Sequence, residues 1–169
     1  MPIDPKIEQP TRTMLGHAIR HELEELASVV RAAGNEALLE SIPLCLFASA
    51  YIAIDVCQRW PTDADLHEIA KNAAESVTGL DITEQEIYQY LSRNALGSER
   101  LDQVFSEEGV ATVPLFATAN LLLTFCPHEK HWGEYLDQIW DGVETAERTS
   151  LSALPALMLR AHNERKITT

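Results

Sequence analysis

Apolar and polar positions along the chain sort into helical blocks, and two of those blocks are nearly free of charge. Residues 42–57 carry Asp55 as their only charge, and residues 109–127 carry none. Helices this apolar need cover on nearly every side, so they are expected at the centre of a compact domain. Residues 12–33 place Leu15, Ile19, Leu23, Leu26, Val30 and Ala33 on one face, which predicts one amphipathic helix stopped by Gly34. A short helix is expected over residues 35–40. Ser41 then caps a helix with Pro43 in its first turn, and Pro61 ends it near Arg59 by disfavouring helical geometry at Trp60.

Further along, Thr62 with Asp65 forms a shortened capping box opening residues 63–77. Thr83 and Glu86 form a full one, with Ile82 and Ile87 as its hydrophobic staple, opening a helix over 84–96 that Gly97 ends. Ser98 is expected to cap a short helix reaching Phe105. Thr112 with Pro114 opens the second buried helix, which Pro127 terminates. Residues 133–147 turn Tyr135, Leu136, Ile139, Val143 and Ala146 inward, and Ser152 with Pro155 opens a last helix. No segment alternates as a strand. The expected fold is therefore all-α: a single-domain helical bundle over residues 12–163, with about six long and two short helices. Residues 43–59 and 111–126 are innermost. An extended N-terminal arm over 1–11, bearing three prolines, precedes the domain, and a polar tail over 164–169 follows it.

The two apolar blocks echo each other. Residues 47–57 align with residues 116–126 at four identities in eleven, pairing Phe47 with Phe116 and Cys57 with Cys126. Gly34 and Leu38 match Gly97 and Leu101 upstream, and Leu66 and Ile69 match Leu136 and Ile139 downstream. An internal duplication would account for this, as would convergence of core composition, since the offsets drift between 63 and 70 residues.

Length and charge narrow the classes of function. A chain of 169 residues, 46% hydrophobic, supports one sizeable core, and its net charge of −13 repels phosphate backbones and anionic lipid headgroups. No basic stripe opposes this, because His17, Arg20 and His21 are answered by Glu22, Glu24 and Glu25. No nucleic-acid partner is expected. No membrane partner is expected either. Residues 109–127 approach the length of a spanning helix but include Pro114 and Asn120 and lack a Lys/Arg asymmetry at their flanks. Cys45 and Cys57 lie about 18 Å apart on one helix, beyond disulfide reach. Reduced thiols and the lack of a secretory leader pattern point to a cytoplasmic protein.

Candidate chemistry is sparse. Cys126, His128 and His131 are metal-ligating types, but they sit just past a helix end with no evident fourth ligand. His17 and His21 are expected on an exposed face. Glu22 falls within the apolar arc of the first helix, either lining a pocket or paired at the core's edge. Asp55 is expected to pair with Arg59 one turn later. No cofactor motif, phosphate-cradling loop or nucleophile elbow is present.

Residues 66–74, Leu-His-Glu-Ile-Ala-Lys-Asn-Ala-Ala, followed by Ile87-Tyr-Gln-Tyr-Leu91, resemble the helix-turn-helix of tetracycline-repressor-type regulators. That family's tight glycine turn is missing, and the connection is several residues longer. Residues 63–103 hold nine acids against three bases, the wrong sign for a DNA groove.

The functional expectation is a non-enzymatic interaction or regulatory protein acting as a homodimer, with Trp60, Trp132, Tyr135 and Trp140 at its interface. The alternative is a small-ligand binder with a pocket between the buried helices, oriented by Glu22, Tyr51 and Asn120.

Overall fold

The computed structural model describes residues 3–76 and 80–147, and every regular element among them is helical. These are α1 (Pro5–Ile19), α2 (Leu23–Ala33), α3 (Asn35–Cys57), α4 (Asp63–Ser76), α5 (Glu84–Gln89), α6 (Leu101–Val104), α7 (Glu107–Phe125) and α8 (Trp132–Glu147), with a π-helical segment, Tyr90–Ala95, continuing α5. The all-α expectation holds.

The two apolar blocks became α3 and α7, which pack on each other at the centre. Ala48, Ser49 and Ala50 face a protein interior that also holds Ala117, Thr118 and Ala119, all at most 7% exposed. Small side chains let the two backbones approach closely. The Thr118 hydroxyl, on α7, lies 3.2 Å from the Cys45 carbonyl of α3, 2.9 Å from Ser49 Oγ and 2.6 Å from the Pro114 carbonyl of its own helix. Each hydroxyl has one proton to donate, so Thr118 spends its own on a carbonyl and accepts that of Ser49. Ser49 and Thr118 are also the positions that the internal sequence echo pairs with each other. Ile52, Leu121 and Leu122 complete this fully buried centre, each contributing about 1.5–3 kcal/mol by leaving water. By length and composition α3 and α7 could each cross a bilayer, and about half of each apolar window (56% and 50%) is covered by the rest of the protein.

Two helices wall the centre on one side. Arg12 of α1 reaches the Gly133 carbonyl (3.3 Å) and Asp137 (2.5 Å) of α8, while Trp140 Nε1 donates to Glu8 at 3.1 Å and Ile3 N to Glu144 at 3.4 Å. Residue numbers rise along one helix as they fall along the other, so α1 and α8 are antiparallel. Gly16 makes the approach possible, since a Cβ there would sit 3.3 Å from the Trp132 ring. Tyr135, Leu136, Ile139 and Val143 point inward as the periodicity indicates.

Several local expectations are met by atoms. The Thr83–Glu86 capping box closes with both bonds (2.8 and 3.2 Å), and Thr62 and Asp65 close theirs (2.7 and 3.3 Å). The helix begun at Glu84 widens at its end, where Leu96 N reaches the Leu91 carbonyl five residues back at 2.9 Å. Gly97 follows because a Cβ there would lie 2.3 Å from the Arg93 carbonyl oxygen.

Other expectations are corrected. The extended arm over 1–11 is mostly helix. Asp4 caps α1 through Lys6 N (2.9 Å), Pro5 takes the first helical position where no N–H is needed, and Pro10 costs only the bond to the carbonyl of exposed Lys6. The single helix over 12–33 is broken at residues 20–22, where His21 adopts a left-handed φ of 58°. A straight helix would carry the α2 stripe past the elements that cover Met14–Ile19, so the chain reverses instead. The expected short helix at 35–40 and the one capped by Ser41 are a single α3. Ser41 Oγ donates to the Leu38 carbonyl at 2.6 Å, and the carbonyl deprived by Pro43 belongs to exposed Leu39. Likewise α7 starts at Glu107, capped by Ser106 Oγ accepting from Gly109 N (3.3 Å), and runs through Pro114. Arg59 does not turn to Asp55. It grips Asp65 through both terminal nitrogens (2.6 and 3.0 Å), while Asp55 Oδ2 accepts from Tyr135 Oη at 2.8 Å. The last predicted helix and the tail over 164–169 lie outside the described residues.

Candidate functional site

The feature that most invites a ligand begins with α2. Its apolar positions recur at helical spacing, yet Leu26 is its only buried residue. Gly34, at φ 83°, turns the chain sharply into α3, so α2 leans against the starts of α3 and α7 rather than burying its stripe between them. The result is an open groove of about 480 Å³, lined by Leu23, Leu26, Ala27 and Val30 of α2, Leu38 of α3, and Ala111, Leu115 and Phe116 of α7. Among the described residues, Thr112 and Arg31 are its only polar lining.

Past Thr112 and Phe116, which line both, the groove adjoins a second hollow of about 220 Å³ with the opposite character. Asp81, Glu86 and Glu108 bring three carboxylates to it, beside Ser106 and Gly109. Glu86 is engaged in its capping box, and none of the three meets a Lys or Arg among the described residues. An apolar trough ending in uncompensated negative charge suits an apolar ligand with a cationic end.

The turn that positions α2 is held by a hydrogen bond and an ion pair, both on Glu22. Glu22 Oε2 lies 2.7 Å from His17 Nδ1 and 2.9 Å from Arg20 Nε, and these two bonds, His17 first, hold its carboxyl below the usual range. Glu22 is thus a clasp at the α1–α2 turn. Tyr51 Oη accepts from Gln138 Nε2 at 3.1 Å, with its ring against Gly142. Asn120 is 1% exposed and its Oδ1 makes no hydrogen bond. None of these three lines the groove or the acidic hollow.

The metal-type residues are turned to other tasks. Cys126 Sγ lies 3.3 Å from the Lys130 carbonyl, and burial raises its thiol pKa. His131 caps α8, with Nδ1 accepting from Gly133 N (3.2 Å) and its own N–H donating to Glu134 (3.0 Å), while His128 is exposed. Among the described residues no three His, Cys, Asp or Glu side chains gather as a metal cluster.

Two of the aromatic residues expected at an interface are interior. Tyr135 is 1% exposed and Trp140 5%, and burial, reinforced by Asp55, drives the Tyr135 phenol pKa far upward. Trp132 is partly buried over Gly16, leaving Trp60 as the one largely exposed ring of the four. The helix-turn-helix-like residues pack through His67 stacked on Tyr88 at 3.8 Å, with Tyr88 Oη donating to Asp63 at 2.6 Å.

Sequence reasoning missed the groove. The α2 stripe was legible, but whether a stripe is covered depends on where distant helices end. Compared with known protein families, characterised proteins and solved structures, the chain matches none.

Proposed function

We propose that the protein is a non-enzymatic cytosolic interaction or regulatory module whose working surface is the groove between α2, α3 and α7. Its ligand is the apolar face of a helix. The observation that carries this reading is the uncovered α2 stripe opposite Ala111, Leu115 and Phe116. Helix-in-groove recognition uses this geometry, with apolar anchors one turn apart lying along a trough of apolar side chains. The acidic hollow at one end supplies orientation, since a basic residue beyond the anchors would find it. Self-association as a homodimer loses its motive at Tyr135 and Trp140, so the groove replaces the aromatic set as the place where a second copy would bind.

A photo-crosslinking amino acid at exposed Ala27, in the full chain inside cells, tests this. The expected result is a crosslink to polypeptide, within the chain or to another, absent when the same group replaces Glu75 on α4. Only lipid-sized adducts, or no crosslink of either kind, would overturn the reading.

One observation favours a second reading. A cavity near 480 Å³ falls within the roughly 300–1,000 Å³ common to small-molecule sites. A retained apolar compound in native mass spectra of the purified chain would support it.

A further inference from the structure

The chain itself contains a segment matched to this groove, and we infer that residues 152–166 dock there in cis and occlude it. The inference rests on the groove being a helix-docking surface, and it names the regulator of that surface.

The predicted last helix, opened by Ser152 with Pro155 in its first turn, places Leu154, Met158, Ala161 and Arg165 at i, i+4, i+7 and i+11. At 100° per residue these four lie within about 60° of arc, three apolar positions followed by a cation. The groove has the same order, an apolar trough and then the carboxylates of Asp81, Glu86 and Glu108. The dimensions agree as well. Leu154 to Ala161 rise about 10 Å and Leu23 to Val30 on α2 rise the same, at 1.5 Å per residue.

Charge separates this segment from the rest of the chain. Residues 148–169 hold four of the 13 basic residues and one of the 26 acidic ones, a net +3 against −16 for residues 1–147. An acidic body with a short basic, apolar appendage on the same chain holds that appendage near at an effective concentration in the millimolar range. An external helix must then compete with it, so the appendage sets the threshold for binding.

The test uses the full chain and the double variant Leu154→Asp with Met158→Asp. A zero-length carbodiimide crosslinker, which joins Lys to carboxylates, reports where Lys166 lies, and amide hydrogen exchange reports on α2. In the wild type Lys166 is expected to link to Asp81, Glu86 or Glu108. In the variant those links vanish and α2 amides exchange about tenfold faster, as loss of a tethered ligand requires. Unchanged α2 exchange, with Lys166 links absent or scattered over the acidic surface, would overturn the inference. Links joining isotopically heavy to light copies would also overturn it, by placing the segment in the groove of a second molecule. Failure here leaves the Ala27 crosslinking result untouched. A polypeptide adduct at Ala27 without the Lys166 links keeps the groove as a docking site and removes only the occlusion.

Discussion

The centre and the edge of the α3–α7 pair are built from the same two helices and behave oppositely. At the centre, around Ser49 and Thr118, small side chains bring the backbones together and Ile52, Leu121 and Leu122 are sealed from water. Toward the N-terminal ends of both helices, Leu38, Ala111 and Phe116 face a trough that α2 only partly closes. Apolar sequence is present at both places. What differs is cover, and cover is decided by the break at residues 20–22 and the turn at Gly34, not by the apolar residues themselves.

The sharpest way to break this contrast is to remove volume from the two regions in turn. Leu122→Ala at the sealed centre is expected to cost about 2–5 kcal/mol in urea unfolding, because the cavity cannot fill. Leu23→Ala, at 44% exposure along the trough, should stay within about 0.5 kcal/mol of wild type in the same assay. Equal costs would mean that the trough is closed.

Between these extremes stands the crossing itself. Thr118→Val removes a hydroxyl within hydrogen-bond distance of Ser49 Oγ and the Cys45 and Pro114 carbonyls, and leaving a buried polar atom unpaired costs about 1–3 kcal/mol. The double variant with Ser49→Ala should be less destabilised than the sum of the two single changes, a shortfall that a double-mutant cycle measures. Nearby Cys45 is fully buried, which pushes its thiol up to about 12, so Ellman's reagent should modify Cys57 and Cys126 well before Cys45 in the folded protein.

The pair Arg59–Asp65 gives the smallest effect, and it depends on pH. Arg59, then Thr62, hold the Asp65 carboxyl well below its ordinary value. A depressed carboxylate stabilises the fold above its unfolded pKa of about 4 and loses that contribution as pH falls through the folded value. The stability gap between wild type and Asp65→Asn should therefore be full at neutral pH and shrink steadily below pH ~4. A gap that widened on acidification would contradict the assignment.

The sequence made the fold legible where the signal was local. The box at Thr83 and Glu86 closes between residues three apart, so no distant element can alter it. Prolines were harder. Pro10, Pro43 and Pro114 all lie inside helices, because what a proline costs depends on which carbonyl it deprives and on what else binds there. The reversal after Ile19 left no mark on the periodicity, since Leu15, Ile19, Leu23 and Leu26 keep helical spacing straight through it. At the candidate site, residue type alone left the readings open. Glu22 in an apolar arc became half of an ion-pair clasp, and Cys126 and His131 turn to separate partners while His128 is exposed. Tyr135 and Trp140 read as interface rings because sequence records an aromatic's size and not which side of α8 meets Asp55 and Glu8.

The antiparallel join between α1 and α8 bears on how the protein is made. Glu8 and Arg12 find Trp140 and Asp137 only after more than a hundred further residues have left the ribosome. At roughly 5–20 residues per second the nascent chain must carry Met14, Leu15 and Ala18 incompletely covered for something on the order of ten seconds. For that interval the first helix translated is an unsatisfied surface, and whatever shields it in the cell acts before the last one arrives.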